Sequence, residues 1–579
     1  MPATGLRSIA LVGALCAALM LGVASIWAAS AQSAPKPVPE DQTASIQLLG
    51  VNDFHGNLES ITNPTYRTPT DAEGNPTNVE GLITCGGGDA GGAAYLDAYL
   101  DRYAALDPDS TIRVHAGDMV GGSPLISSYF HDEPTIEATN LMEFDVGTLG
   151  NHEFDEGGEE MLRLINGGQR DDDLQFKEDA NGQLVNTSDP DFAGADYPYI
   201  SANVVYAETG ENVLPPYEIV ERDGVKVGFI GVTTEETPDI VVPDAVAPFE
   251  FLDISETVDR YAKELRKQGV ETVVVLAHAG GSQTTAEEAT GEIISETAEM
   301  KNKTLDAIIA GHSHSYLNTT VNDILIVEGF ALGTAFDTVN LTVDRKTGDV
   351  IEASAKVVPT CNENTKDPTT PDPETAALVA QYDEQVTEIE NRVVGTAAEN
   401  ITRTATTAGE SALGDLIADA QRTYAGTQIA FMNPGGIRAD IQQGPVTYGE
   451  LFTVQPFDNQ VVKMELTGDQ IYRLLEQQFE VNRMLQVSGL TYTYNASNPA
   501  GERITSVTVN GAPLDRNATY TVAANSFIAT GGDGFTVFEE AAATQQTLGS
   551  DLDALETYIG GQQQVGVPAD FGQRIVKQG

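Results

Sequence analysis

Between Ile46 and His314 one local pattern occurs five times: an apolar run that reads as a strand, then His, Asp or Asn beside Gly. The endings are Asn52-Asp53-Phe54-His55-Gly56, His115-Ala116-Gly117-Asp118, Gly150-Asn151-His152-Glu153-Phe154-Asp155, Ala277-His278-Ala279-Gly280 and Gly311-His312-Ser313-His314. A strand that ends in such a cluster turns its polar groups into a crevice at its carboxyl end, where open α/β sheets place ligands. Read alone, the third ending serves equally well as a helix start, because Asn caps helices and acids suit a first turn. Its recurrence points instead to an α/β fold whose strand ends converge on one site.

The chain has seven histidines, and His55, His152, His278, His312 and His314 all fall in these endings. Histidines placed for solubility or packing would scatter. His115 is read as supporting the site from behind or as structural. Asp53 and His55, two apart at a strand end, project to one side and can grip one ion. The candidate ligands are Asp53, His55, Asp118, Asn151, His278, His312 and His314, a nitrogen and oxygen set without thiolate. Such a set suits Zn, Mn or Fe in an open catalytic site. It is too large for one ion. Two ions about 3.5–4 Å apart and bridged by a carboxylate fit better, and such pairs typically hydrolyse phosphate esters.

At 579 residues the chain exceeds one core, and domains of roughly 100–200 residues predict two to four units. With 41% hydrophobic and 7% aromatic residues it is globular rather than disordered or fibrous. Arg7 precedes the uncharged apolar run from Ile9 to Ala29, followed by Ala29-Ser30-Ala31 and the linker-like Pro35-Lys36-Pro37-Val38-Pro39. This reads as a secretory signal peptide, residues 1–31, cut after Ala31, and predicts a secreted, cell-surface or periplasmic protein with no stable membrane insertion after cleavage. The run reaches the roughly 20 residues that span a bilayer, so an uncleaved anchor is the other reading.

The net charge is −55, and removing residues 1–31 takes away Arg7 and no acid. Such a field repels polyanions, which makes nucleic-acid polymers and anionic membranes poor partners. A small anionic substrate then needs local positive charge from metals or placed arginines. Cys85 and Cys361 remain after cleavage and can pair in an oxidising compartment, pinning a loop of the site to the end of the first domain.

Asn52-Asp53-Phe54-His55, Gly117-Asp118, Gly150 to Asp155, His278 and Gly311 to His314, in that order, resemble the five signatures of the calcineurin-like metallophosphoesterases. Together with the second domain they resemble the secreted 5′-nucleotidase family over nearly all of the mature chain. The stretch from Cys361 to Pro373 is rich in Thr, Pro, Asp and Asn and the residues from Pro373 to Val393 read as a helix, so 361–397 is a linker with a helix. The resemblance implies a four-layer α/β metallophosphoesterase sandwich before it, at 42–360, and a smaller α/β nucleoside-binding domain after it, at 398–579. It implies two divalent metal ions, Zn, Mn or similar. Asp53, His55 and His314 would hold one and Asn151, His278 and His312 the other, with Asp118 bridging them. His152 would stay free of metal, its ring oriented by Asp155, and assist catalysis.

In the second domain Asn433-Pro434-Gly435-Gly436-Ile437-Arg438 follows a strand-like run. Its glycines let backbone amides approach a ligand, and Arg438 can meet phosphate with a fork of donors. Gln455-Pro456-Phe457-Asp458-Asn459 and the stretch from Asn525 to Phe535 come later. The family resemblance implies that Phe457 and Phe527 clamp a base, that Asp533 binds ribose hydroxyls, and that Asn433 and Asn459 contact the nucleoside. The family often places a second arginine shortly before the segment matched by Gly409 to Asp415; here Thr406-Thr407-Ala408 stands there, and Arg403 is the nearest candidate.

The expected activity is release of phosphate from 5′-nucleotides, with a small nucleotide as the partner. The alternatives are a 2′,3′-cyclic nucleotide phosphodiesterase or UDP-sugar hydrolase using the same metal pair, and, from another class, a catalytically silent surface protein that binds nucleotides.

Overall fold

The strand Thr43–Val51 buries both its faces: Ile46 and Leu48 point one way, Leu49 and Val51 the other. The period of two places alternate side chains on opposite sides of a sheet, and a strand covered on both sides must be apolar throughout. Its sheet runs in the order Val350–Pro359, Ala335–Asp344, Thr43–Val51, Thr111–His115, Val146–Thr148, Tyr199–Ile200. The last four are parallel, with Val51 paired to His115, Val114 to Val146 and Gly147 to Tyr199. The computed structural model describes residues 38–39, 42–64, 66, 84–85, 87–170, 175–178, 183–283, 288–301, 305–362 and 369–578. The expected signal peptide at 1–31 lies outside them.

A second six-stranded sheet has the order Tyr316–Val321, Ile324–Gly329, Ala307–Ala310, Thr272–His278, Val225–Thr233, Tyr217–Arg222. Its four central strands are parallel and antiparallel hairpin strands close both edges. The two sheets pack face to face: Ile46, Leu48 and Val114 of the first meet Phe229, Val274 and Leu276 of the second.

Helices cover the outer faces. Ile254, Val258, Tyr261, Ala262 and Leu265 form one buried stripe of the helix Ile254–Lys267 and pack on Val273 and Val275. At about 1.5–3 kcal/mol for each large apolar side chain, this stripe fixes the helix on the sheet. The Asp253 carboxylate accepts from the Glu256 N–H at 2.7 Å and caps the helix, worth about 1 kcal/mol. On the other outer face Leu96 and Leu100 of the helix Ala93–Ala104 join Tyr382, Val386 and Ile389 of the helix Pro373–Glu390. The result is the expected four-layer sandwich, helix, sheet, sheet, helix.

Residues 44–579 form one compact unit. Its C-terminal part has a five-stranded sheet in the order Gln486–Ser488, Ile429–Met432, Thr519–Asn525, Gln460–Thr467, Gln546–Ser550. The helices Ala412–Ala425 and Gly468–Gln477 are buried with it. Because Val461 pairs antiparallel with Asn525, the residues before Gln460 and those after Asn525 emerge at the same end of the sheet. Cys85 and Cys361, 276 residues apart, are joined as a disulfide.

Candidate active site

Five of the candidate ligands sit in the left-handed region of backbone space: Asp53 at φ 51°, His55 at 49°, Asp118 at 51°, His312 at 82° and His314 at 52°. Such positions cost a non-glycine residue about 1 kcal/mol or more, and they concentrate where a side chain must be aimed rather than packed. The glycines between them let the loops touch. A Cβ on Gly117 would lie 2.5 Å from the Gly150 amide nitrogen, and one on Gly150 would lie 2.1 Å from Asp118 Oδ1.

Two clusters result. Asp53, His55 and His314 offer ligand atoms within 4.8 Å of one another, as do Asp118, His278 and His312. In the first, His314 Nε2 is 3.3 Å from Asp53 Oδ1 and 3.1 Å from His55 Nε2. In the second, Asn151 Oδ1 is 3.1 Å from His278 Nε2 and 2.9 Å from His312 Nδ1. Asp118 Oδ2 stands between them, 3.6 Å from His55 Nε2 and 3.1 Å from His278 Nε2. His55, Asp118 and His152 form a third such group, which puts His152 at the rim of the same centre.

The donor set fits divalent cations. His55 Nδ1 is 2.8 Å from Gly121 O and His278 Nδ1 is 2.9 Å from Ala116 O, which leaves each Nε2 facing the carboxylates. The charges agree. Burial pulls His278 down, but Asp118 and Asp53 outweigh it and push it up to about 10. Burial raises Asp118, yet His278, His152 and His55 hold its carboxyl well below the usual range. Burial and the neighbouring His278 drop His312 to about 3, which leaves that ring neutral and able to ligate.

His152 is set apart by its partner. Its Nδ1 lies 2.8 Å from Asp155 Oδ2, and its backbone N–H donates to Asp118 Oδ1 at 2.9 Å. Burial lowers this imidazole, but Asp155 and Asp118 carry it above its ordinary value. His115 is enclosed by Phe144, Tyr197 and Tyr199.

Two buried carboxylates outside the candidate ligand set act behind the centre. Glu153 accepts from the N–H groups of Asp118 at 3.0 Å, Met119 at 2.9 Å and Gly150 at 2.5 Å, so one side chain ties two ligand-bearing loops together. Glu328 accepts from Ser313 Oγ at 2.7 Å, Ser315 N at 3.2 Å and Gly281 N at 3.3 Å, bracing the loop of His312 and His314. A lone acid in the otherwise apolar strand Ile324–Gly329 was the available signal.

A cleft of about 1130 Å³ runs from Asp118, Asn151, His152, Asp155, His312 and His314 to Asn433, Arg438, Phe457, Asn459, Phe527 and Asp533. The Arg438 guanidinium sits 5.6 Å from the centre of the Phe457 ring. Asn459 Oδ1 accepts from Ser526 Oγ at 3.0 Å and Phe527 N at 3.2 Å, which fixes the turn that carries Phe527. Asn433 Nδ2 donates to Asp533 Oδ2 at 3.1 Å. Arg403 is not brought to the cleft: it is exposed, and its guanidinium donates to Ile437 O at 3.1 Å, bracing the loop before Arg438. Arg483, which the sequence did not single out, lines the cleft instead.

The family described as calcineurin-like phosphoesterase matches residues 46–316, and the one described as 5′-nucleotidase, C-terminal domain, matches residues 393–540. The cell wall protein Lmo0130 of Listeria monocytogenes is 34% identical over 95% of this chain and 71% of its own length. The chain belongs to the 5′-nucleotidase family of calcineurin-like phosphoesterases. Like other members of this phosphohydrolase family, it is a hydrolase of the metal-dependent class. Endonuclease YhcR of Bacillus subtilis is 36% identical over 84% of this chain, which spans only 37% of that relative. A 5′-nucleotidase precursor from Thermus thermophilus superposes with a TM-score of 0.73 at 27% identity, covering 92% of this chain and 99% of that one.

Proposed function

We propose that this phosphohydrolase is an exported enzyme that releases phosphate from 5′-nucleotides, with two divalent ions such as Zn or Mn at its centre. Asp53, His55 and His314 would hold one ion and Asn151, His278 and His312 the other, with Asp118 shared. The observation that carries this reading is the position of Asp118 Oδ2, 3.6 Å from one cluster's imidazole and 3.1 Å from the other's. Bound divalent ions supply the chemistry of such a centre: they ionise a water near neutral pH and neutralise charge on a phosphoryl group.

The chain's own residues do the rest. Asp155 holds His152 with Nδ1 protonated, and the charged ring donates its other proton towards the phosphoryl oxygens or leaving group. Arg438 meets the phosphate. Phe457 and Phe527 stack on the base, Asp533 accepts the ribose hydroxyls, and Asn433 and Asn459 contact the nucleoside while bracing the loops that present it. Stacking favours any base over none, so base preference is broad.

We keep the division into 42–360, 361–397 and 398–579 as part of this proposal, together with a cleaved signal at 1–31. The cell wall relative supports export, and among the described residues no helix is long and apolar enough to cross a membrane. The net charge of −55 argues against a polymeric nucleic acid as substrate. The endonuclease relative keeps a phosphodiester substrate in view as the second reading.

The test is phosphate release from AMP, UMP, ADP, ATP, UDP-glucose, 2′,3′-cyclic AMP and p-nitrophenyl phosphate under Mn or Zn. A preference for 5′-mononucleotides is expected. Preference for the cyclic substrate or UDP-glucose would move the assignment to a diesterase, and no hydrolysis at all would move it to a silent binding protein.

A further inference from the structure

Among the residues that line the cleft, Asp533 is 7% exposed and its carboxylate is held from two sides. Asn433 Nδ2 donates to its Oδ2 at 3.1 Å, and Arg483 Nε donates to its Oδ1 at 3.4 Å. A carboxylate has about four acceptor sites. One site on each oxygen is occupied, so each oxygen keeps one for a ligand. Two acceptors side by side on a fixed carboxylate match a ligand with two adjacent donors, and the neighbouring hydroxyls of a ribose are such a pair.

The backbone shows that this aim is built. Asp533 sits at φ 57° between Gly532 and Gly534, a conformation that an aspartate holds only at some cost. A Cβ on Gly532 would lie 2.5 Å from Phe527 Cε2, so the Asp533 turn lies directly against that ring. Arg483 reaches the turn from another segment, and its Nη2 also faces Glu236 Oε2 at 3.9 Å.

We propose that Arg483 is a specificity-determining residue which makes the cleft select nucleosides carrying both ribose hydroxyls, by holding the Asp533 carboxylate as a pre-aimed acceptor. Arg483 acts through Asp533 and is therefore a positioning residue. Burial raises the Asp533 carboxyl, and Arg483 with Asn433 pulls against that rise. Without the guanidinium the carboxylate loses one of its two anchors and turns away, and a ligand lacking one hydroxyl no longer leaves a fixed acceptor unpaired. Discrimination against that ligand then disappears. The proposal rests on the reading that this part of the chain binds the nucleoside.

The experiment is calorimetric binding of adenosine, 2′-deoxyadenosine and 3′-deoxyadenosine to the full chain, for the unmodified protein and for Arg483→Gln and Arg483→Lys, with phosphate release from AMP measured alongside. The unmodified protein is expected to prefer adenosine over either deoxynucleoside by about tenfold or more. Arg483→Gln should shrink that ratio to about threefold or less, with the deoxynucleosides bound nearly as before, and Arg483→Lys should keep most of it. An Arg483→Gln protein that weakens all three ligands equally, or keeps the ratio, overturns the proposal and leaves Asp533 as the ribose acceptor. No preference in the unmodified protein overturns both. Selective binding without phosphate release would overturn the hydrolase reading and leave this inference standing.

Discussion

Phe457 and His152 lie ring over ring, with centroids 5.6 Å apart and planes 11° from parallel. They come from two distant loops, and Gly122, at φ 57°, makes room: a Cβ there would lie 3.3 Å from Phe457 Cε1. The aromatic residue proposed to hold a base therefore begins where the imidazole proposed to assist catalysis ends, which sets a nucleoside beside the phosphate it carries.

If Phe457 stacks on the base, Phe457→Ala should raise KM for AMP about tenfold or more, since each base stack is worth about 1–3 kcal/mol. The KM for p-nitrophenyl phosphate should change much less. Equal losses on both substrates would mean that Phe457 serves His152 rather than the base.

His152→Ala should lower kcat about 100-fold to 10,000-fold while elemental analysis finds the metal content unchanged. Activity close to that of the unmodified protein would remove His152 from catalysis. Loss of metal would make it a ligand, which the His55, Asp118 and His152 group permits.

Glu153→Ala leaves three buried N–H groups without their acceptor, each costing about 1–3 kcal/mol. The variant should melt several degrees lower and bind Mn more weakly in calorimetry. An unchanged melting temperature and unchanged metal affinity would show that the loops of Asp118 and Asn151 hold themselves.

Asp97 is 3% exposed and accepts from Thr375 Oγ1 at 2.5 Å, joining the helices Ala93–Ala104 and Pro373–Glu390. Burial, with Asp101 and Asp372 nearby, pushes its carboxyl up to about 7 from the usual 3.8. A carboxyl raised in the folded state binds more protons there than in the unfolded chain. Its contribution to stability is complete below about pH 4 and is lost as the pH rises towards 7. Denaturant unfolding at successive pH values should show the difference between Asp97→Asn and the unmodified protein changing over that window. A difference independent of pH would put Asp97 at its ordinary value.

The metal-type centre was legible because each ligand lies at or just past the end of an apolar strand, with a glycine close by on one side or the other, a pattern that needs no tertiary knowledge. The sandwich followed from the same runs: Ile46, Leu48, Leu49 and Val51 are apolar on both faces, which only a doubly covered strand requires. Residues that act through tertiary contact carried no such mark. Arg483 lies in an irregular segment and meets Asp533 only across 50 positions. Arg403 stands at the nearest place in the sequence for a second arginine, and its Nη1 donates to Ile437 O, the residue before Arg438, a contact that no local pattern records. The stack of Phe457 on His152 depends on how two distant loops meet, which no local pattern records.

The measurement that reaches the central claim most directly is phosphate release from AMP during titration of Mn or Zn into chelator-stripped protein, with bound metal counted at each step. Activity should be absent after stripping, return as metal binds, and reach its plateau at two ions per chain. Full activity in stripped protein, or a plateau at one ion with no second bound, would contradict a centre in which Asp118 serves two metals.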